Sequence, residues 1–581
     1  MAAEGIRFGD FELDAGGYEL RRSGAPVRLE RIPMELLLLL VAEPGRLIPR
    51  RLLADRVWGK DHFLDEASAI NTAIRKLRLA LGDNVENPRF IETVPGKGYR
   101  FVAKALRPDA CENRGPSLRP ERTLLAVFPF ENLSKNPQES YLSDGITDEL
   151  ITCLGEFSPA YLGVMGRTTT TECHRRGMTV EQVGRELGVQ FVIEGSVRGS
   201  LGHIRINVRL VQVCDQTQIW ARSYERKIGD LLVWQWEVAR EIAGEVKAAV
   251  PPGAVSRQSR SRQVNPQAYE TYLRGLHHWT KRTPLGCSQA IVLFEQAIEI
   301  DPAYPLPYTG LADAFILLGI HGVRSPQDTY PKARAAAKRA LEIDPALAEA
   351  HAALGDVSKG FDWEWSRAEA SYREAIKFNS NYALVHQWYA NLLSILERHA
   401  EAIGEAEEAR YIDPLSAPTA GFVGFSLYRA RLFDEALREA LKAKELDPSS
   451  PIVNWFLSLI YLQYGDYGRA REAALTATRE SHDAAMFLAT LGLVLGRAGE
   501  RNAALEIVGT LRRRSREQYV SPFDMSVAHA GIDNAAALVW LEDAVTERAM
   551  RVTELRMPLF DDLRREPGFA ELPRRVGLTV C

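Results

Sequence analysis

The residues with the clearest chemical purpose lie between Ser68 and Lys104. In "SAINTAIRKLRLALG", residues 68 to 82, the side chains of Ser68, Asn71, Thr72, Arg75 and Arg78 recur at helical steps, with Lys76 flanking them. Steps of three and four put them on one helix face. Each can donate a hydrogen bond to a base edge or a phosphate, and the face has no carboxylate beyond its first turn. A short way on, "IETVPGKGYRF" (91–101) sets Lys97 between Gly96 and Gly98, with Tyr99 and Arg100 following. Lys97 and Arg100 can reach phosphates or a minor groove from such a turn. From Ser68 to Lys104 there are seven Lys or Arg against three Asp or Glu, inside a chain of net charge −4. A solvated helix ordinarily mixes both signs, so this local excess points to a polyanion.

The elements that must hold these groups can be read on either side. On the suspected recognition helix Ile70, Ala73, Ile74, Leu77 and Leu81 form an apolar stripe that predicts a core-facing side. That helix is expected to begin near Asp65 and to stop at Gly82. Upstream, "IRFGDFELD" and "YELRRSG" alternate like a small antiparallel sheet, with "PVRLE" after them. Pro33 starts a helix through "MELLLLLVAE", and "PRRLLADRVWG" reads as a second helix ending at Gly59. Tyr99 or Phe101 is expected to pin the hairpin to the helices, and Tyr99 is also counted among the residues expected to contact DNA. A sheet, three helices and a basic hairpin make a winged helix-turn-helix over residues 1–104.

"AINTAIRKLRLALGD" and "RFIETVPGKGYRFV" resemble the recognition helix and wing of the OmpR/PhoB-type winged-helix family, over about residues 6 to 104. The CadC-like and ToxR-like variety, without an ordinary receiver domain, is the most similar. The resemblance implies double-stranded promoter DNA as partner. Ser68, Asn71, Thr72, Arg75 and Arg78 would face the major groove, and Lys97 and Arg100 the minor groove. Arg50 and Arg51 would clamp phosphates, and the loop from Trp58 to Asp65 would be offered to RNA polymerase. It also implies head-to-tail homodimers on tandem sites. The chain departs from the family at Ile32, where a Ser or Thr cap is usual, and in lacking a membrane span after the DNA-binding domain.

Two Pro- and Arg-rich stretches, 105–122 and 251–265, read as linkers and divide the rest. Residues 123–250 alternate strand-like and helix-like patterns, as in a small α/β domain. "AVFPFENLS", "YLSDGITDELI", "FVIEGSVRG" and "IWARSYERK" resemble a TolB-like module. A helix is expected there with Ser143 or Asp144 at its cap. Beyond residue 266, Asp301-Pro302, Asp344-Pro345, Asn379-Ser380, Asp413-Pro414 and Asp447-Pro448 recur at steps of 43, 35, 34 and 34 residues. A 34-residue period with small residues such as Ala333, Ala337 and Ala340 resembles tetratricopeptide repeats. Residues 266–581 are thus expected to form an all-α solenoid with a C-terminal helical cap, offering a groove to a protein or peptide partner. The surplus in the first step, "GVRSPQDTYPK", is expected to lengthen a loop, and Trp363 and Trp365 to pack. The fold class is multidomain α+β: winged helix, small α/β domain, solenoid.

No nucleophile, metal-ligand or paired-acid constellation and no phosphate-loop motif is found, so neither catalysis nor a cofactor or metal is expected. The six cysteines show no CxxC spacing, and no apolar run approaches a membrane span, so a reducing cytoplasm is expected. The reading is a one-component transcriptional regulator whose later domains sense, bind partners or multimerise. The alternative is an interaction scaffold whose winged helix docks protein.

Overall fold

The computed structural model describes residues 5–8, 11–14, 19–22, 25–42, 47–50, 53, 66–84, 88–94, 97–103, 122–134, 140–157, 159, 161–200, 203–227, 230–246 and 264–578. Two compact units result, residues 1–118 and 119–581.

The first unit opens with an antiparallel sheet of β1 (Gly5–Phe8), β2 (Phe11–Asp14), β3 (Glu19–Arg22) and β4 (Ala25–Val27) in sequential order. Its register sets Phe8 against Phe11 and Leu13 against Leu20, and these side chains are buried. Helix α1 (Arg31–Ala42) buries Met34, Leu36, Leu37, Leu40 and Val41. Strand β5 (Leu47–Pro49) pairs with β7 (Gly98–Phe101), which pairs with β6 (Ile91–Val94). Between them runs α2 (Glu66–Leu81). Phe8, Phe11, Phe90 and Phe101 meet edge-to-face or stacked, with Phe8 and Phe101 centroids 5.1 Å apart. The aromatic cluster therefore joins the first sheet to the wing.

The second unit begins with a mixed sheet. β10 (Leu162–Val164), β8 (Thr123–Val127) and β11 (Phe191–Ser200) run parallel, and β12 (His203–Gln212) and β13 (Gln218–Lys227) extend it antiparallel. The short β9 (Glu131–Asn132) also pairs with β11. Alternation along β8 serves two cores. Leu125 and Val127 face α3 (Ser140–Phe157) and α6 (Leu231–Glu245), while Leu124 and Ala126 face residues of α4 (Arg167–Arg175) and α5 (Val180–Leu187). Helix α3 starts at Ser140, so Ser143 and Asp144 lie inside it rather than at its cap. Tyr141 and Leu142 extend the apolar face by a turn.

Residues 266–546 form successive helical hairpins. Their first helices are Pro266–Trp279, Leu306–Ile320, Ala348–Val357, Ala383–Ile395, Ala417–Arg429, Pro451–Gln463, Ala485–Arg497 and Pro522–His529. Ala333, Ala337, Ala340, Ala436, Ala440 and Ala443 are fully buried where paired helices approach. The surplus after Gly322 is mostly helix: Ser325 caps Pro326–Ile343, which runs 18 residues against 14 in Trp365–Phe378. Trp363 and Trp365 pack against the solenoid core. The C-terminal segment returns along the stack rather than only closing its end. Arg548 donates to the Phe361 carbonyl, Arg556 to that of Ile395, and Arg431 pairs with Asp561.

The α/β domain and the solenoid share one core, in which Tyr269 and Leu273 pack with Ile146 and Trp234. Glu149 of α3 accepts from the Tyr269 hydroxyl at 2.5 Å and from Gln235 at 2.7 Å. The repeat landmarks add a second weld. Asp301, Asp344, Asn379 and Asp447 each accept a hydrogen bond from the backbone N–H two residues on, closing a local turn. Asp413 instead accepts from the Thr169 N–H at 2.7 Å and hydroxyl at 2.6 Å, capping α4 from the solenoid. Gly166 permits this, because a Cβ there would lie 2.6 Å from the Asp413 carboxyl carbon. Burial pushes the Asp413 carboxyl up, and the Thr169 hydrogen bonds oppose that.

Candidate nucleic-acid interface

Helix α2 carries the site, and its inward stripe follows the periodicity: Ile70, Ala73, Ile74, Leu77 and Leu81 are all buried. Gly82, at φ +63°, ends the helix. The Asp83 N–H reaches the Arg78 carbonyl at 2.9 Å and the Gly82 N–H the Leu79 carbonyl, a Schellman closure that needs glycine's freedom. Asp83 then receives the chain as it turns toward the wing. Its carboxylate accepts from the backbone N–H groups of Arg89 and Ile91, both at 2.7 Å, and more distantly from Phe90.

Two further ties fix α2 against the hairpin. Arg78 donates to the Ile91 carbonyl at 2.6 Å and to Thr93 Oγ1 at 2.9 Å, and is only 9% exposed. The expectation of a groove-facing Arg78 is therefore corrected: the strand carbonyl draws its guanidinium inward, and it positions the wing. Tyr99 is likewise buried, with its hydroxyl donating to Asn71 Oδ1 at 2.7 Å. Arg50 completes that chain, donating to the same hydroxyl at 3.3 Å with its guanidinium 5.3 Å from the Tyr99 ring centroid. Tyr99 thus pins the hairpin to the helix, as one of the two aromatics was expected to do, and its expected place among the DNA-contacting residues is corrected: at 2% exposure its ring is spent inside the domain.

Asn71, Thr72, Arg75 and Lys76 are exposed on the outer side of α2. Lys76 is paired with Glu30 at 2.7 Å, both side chains well exposed, a contact worth about 0–1 kcal/mol. On the wing, the Lys97 N–H closes the turn on the Val94 carbonyl at 3.0 Å, and its side chain is exposed. Arg100 is half-exposed and pairs across the strands with Glu92 at 3.0 Å. The Ser68 side chain, Arg51, Gly96 and the loop 58–65 lie outside the described residues.

One residue escaped the sequence reading. Leu79 is 85% exposed, four residues after Arg75 and seven after Thr72, and so continues their row. Its spacing was the available signal, but an apolar side chain does not register in a search for donors. A thymine methyl is the kind of surface such a side chain meets in a major groove.

The geometry is that of a braced helix presenting donors beside a cationic turn, and family comparison agrees with it. Residues 24–101 match the family described as transcriptional regulatory protein, C terminal. The first domain is an OmpR/PhoB-type DNA-binding domain. Residues 121–228, read from sequence as TolB-like, match the second domain of HilA/YgeH-like transcriptional regulators. Transcriptional regulator HilA of Salmonella typhi is 24% identical over 445 residues, 76% of this chain and 70% of HilA. The phosphate regulon transcriptional regulatory protein PhoB of Rhizobium meliloti is 40% identical over 95 residues, 16% of this chain and 40% of PhoB. Putative adenylate cyclase 3 of Rhizobium meliloti is 28% identical over 272 residues, 47% of this chain. The chain spans 45% of the length of that cyclase relative. Among the described residues no helix is long and apolar enough to cross a membrane.

Proposed function

We propose that this chain is a one-component, sequence-specific transcriptional regulator of the cytoplasm that grips promoter DNA through α2 and the wing and performs no catalysis of its own. The observation that carries the reading is the exposed row of Thr72, Arg75 and Leu79. It is free of carboxylates, is braced from behind by Arg78 and Asp83, and lies in the domain that bears the exposed Lys97 turn. Arg75 and Asn71 read base edges, Leu79 meets thymine methyls, and Lys97, Arg100, Arg50 and Arg51 hold phosphates. Arg50 does so from its place against Tyr99. The second unit supplies signal input or partner binding. Contact with RNA polymerase through residues 58–65 and pairing of two copies on tandem sites belong to the same reading.

The test is to select bound genomic fragments with the full chain, then titrate the recovered site by gel shift. Arg75→Ala should weaken the selected site about 10- to 100-fold while leaving unrelated DNA unchanged. Lys97→Ala should weaken both and reduce the salt slope by about one. If neither change matters and no fragment is enriched, the winged helix docks protein and the scaffold reading replaces this one.

A further inference from the structure

Within the second unit, the α/β domain and the inner sides of the first solenoid hairpins line a half-open cavity of about 980 Å³. Helices α3, α4 and α6 form one wall, and the first helices of five hairpins the other. Most of its charges are already matched. Arg167 is held by Asp144 and Asp148, and Arg175 by Glu172. Glu149 and Asp413 are held by the hydrogen bonds described above.

Asp313 and Glu349 are different. Asp313 is 6% exposed, yet its Oδ1 accepts no hydrogen bond; the Glu349 Oε2 is also buried without one. Both line the cavity, as do Trp236 and Tyr382. The charged groups facing Asp313 are Arg282, Glu349 and Asp356. Asp356 is taken by Lys359, whereas Arg282 is exposed and makes no ion pair with Asp313. Burial, the largest influence, pushes the Asp313 carboxyl up to about 8. A buried carboxyl with no partner is costly unless something else fills that role.

An anion would find the cavity's Arg167 and Arg175 already paired and only Arg282, exposed and stacked on Trp279, without an ion pair, and it would face two unmatched carboxyl groups. A cation would supply what those carboxylates lack and would gain from the aromatic faces. We infer that this cavity binds a small organic cation, an amine or guanidinium compound with an apolar body, using Asp313 and Glu349 as counterions and Trp236 and Tyr382 as walls. The inference goes beyond DNA binding and does not depend on it, since the ligand binds or fails to bind whatever the first domain does.

The experiment is isothermal titration of the full chain with 2-phenylethylamine and with agmatine, against 2-phenylethanol and phenylacetate as neutral and anionic counterparts. At least one amine should bind saturably at one site, and both counterparts should not. Binding at neutral pH should expel a proton from Asp313, so the heat should change with the ionisation enthalpy of the buffer. Asp313→Asn and Glu349→Gln should each weaken the amine by about tenfold or more. Should the Asn variant fold poorly, the Gln variant decides. Absence of saturable binding by either amine, equal binding of 2-phenylethanol, or undiminished binding in a folded variant would overturn the assignment.

Discussion

The outer face of α2 and the cavity of the second unit handle charge in opposite ways. Arg75 and Lys97 stand in water, where an unpaired cation costs little and can be surrendered to a partner. Asp313 and the Oε2 atom of Glu349 are kept from water, where a carboxyl oxygen without a partner is a standing cost. The difference teaches where specificity is stored. In the first unit the buried groups do the holding, since Arg78, Tyr99 and Asp83 tie the helix to the wing while Thr72, Arg75, Leu79 and Lys97 stay exposed. In the second, specificity lies in the lining itself.

Four substitutions test that contrast. The largest effect is expected from Asp413→Ala, which removes the acceptor of both the Thr169 N–H and hydroxyl. Unfolding of the second unit in urea should lose about 2–3 kcal/mol, with DNA affinity unchanged. Asp83→Ala should cost the first unit about 1–2 kcal/mol and lower DNA affinity with it, because backbone donors at Arg89 and Ile91 lose their acceptor. A melting midpoint equal to wild type would mean that the wing holds itself.

The third is Asp313→Asn, read as stability against pH. The Asp313 carboxyl is raised from 3.8 to about 8 in the fold, so between those values the folded state binds more protons than the unfolded. Wild-type stability should then fall as pH rises toward 8, by at most about 1.4 kcal/mol per pH unit from this group. The Asn variant should lack that component, and parallel pH profiles would contradict it. Glu30→Ala is the smallest: stability should change by less than about 1 kcal/mol, while release of Lys76 should slightly tighten non-specific DNA binding in gel shifts at low salt.

What could be read in advance followed from how local each feature is. The buried stripe of α2, its end at Gly82 and the small residues of the repeats all follow from spacing within a single element. Arg78 was misread because the same spacing places it on the donor face, and only the Ile91 carbonyl, brought back by the hairpin, turns it inward. The start of α3 was misread because Ser143 and Asp144 have capping chemistry, but the apolar demand of Tyr141 and Leu142 reaches further upstream. Asp413 looked like any other repeat landmark. Its role depends on Thr169, 244 residues away, which no periodicity connects to it. The cavity was invisible for the same reason, since its lining comes from segments between Asp148 and Pro448.

The reach of Asp413 has a consequence in time. Helix α4 leaves the ribosome with its amino end uncapped, and its acceptor is made 244 residues later. At cellular synthesis rates that interval is on the order of ten to fifty seconds. For that long the nascent α/β domain must survive half-finished, so its maturation is timed by translation of the repeats.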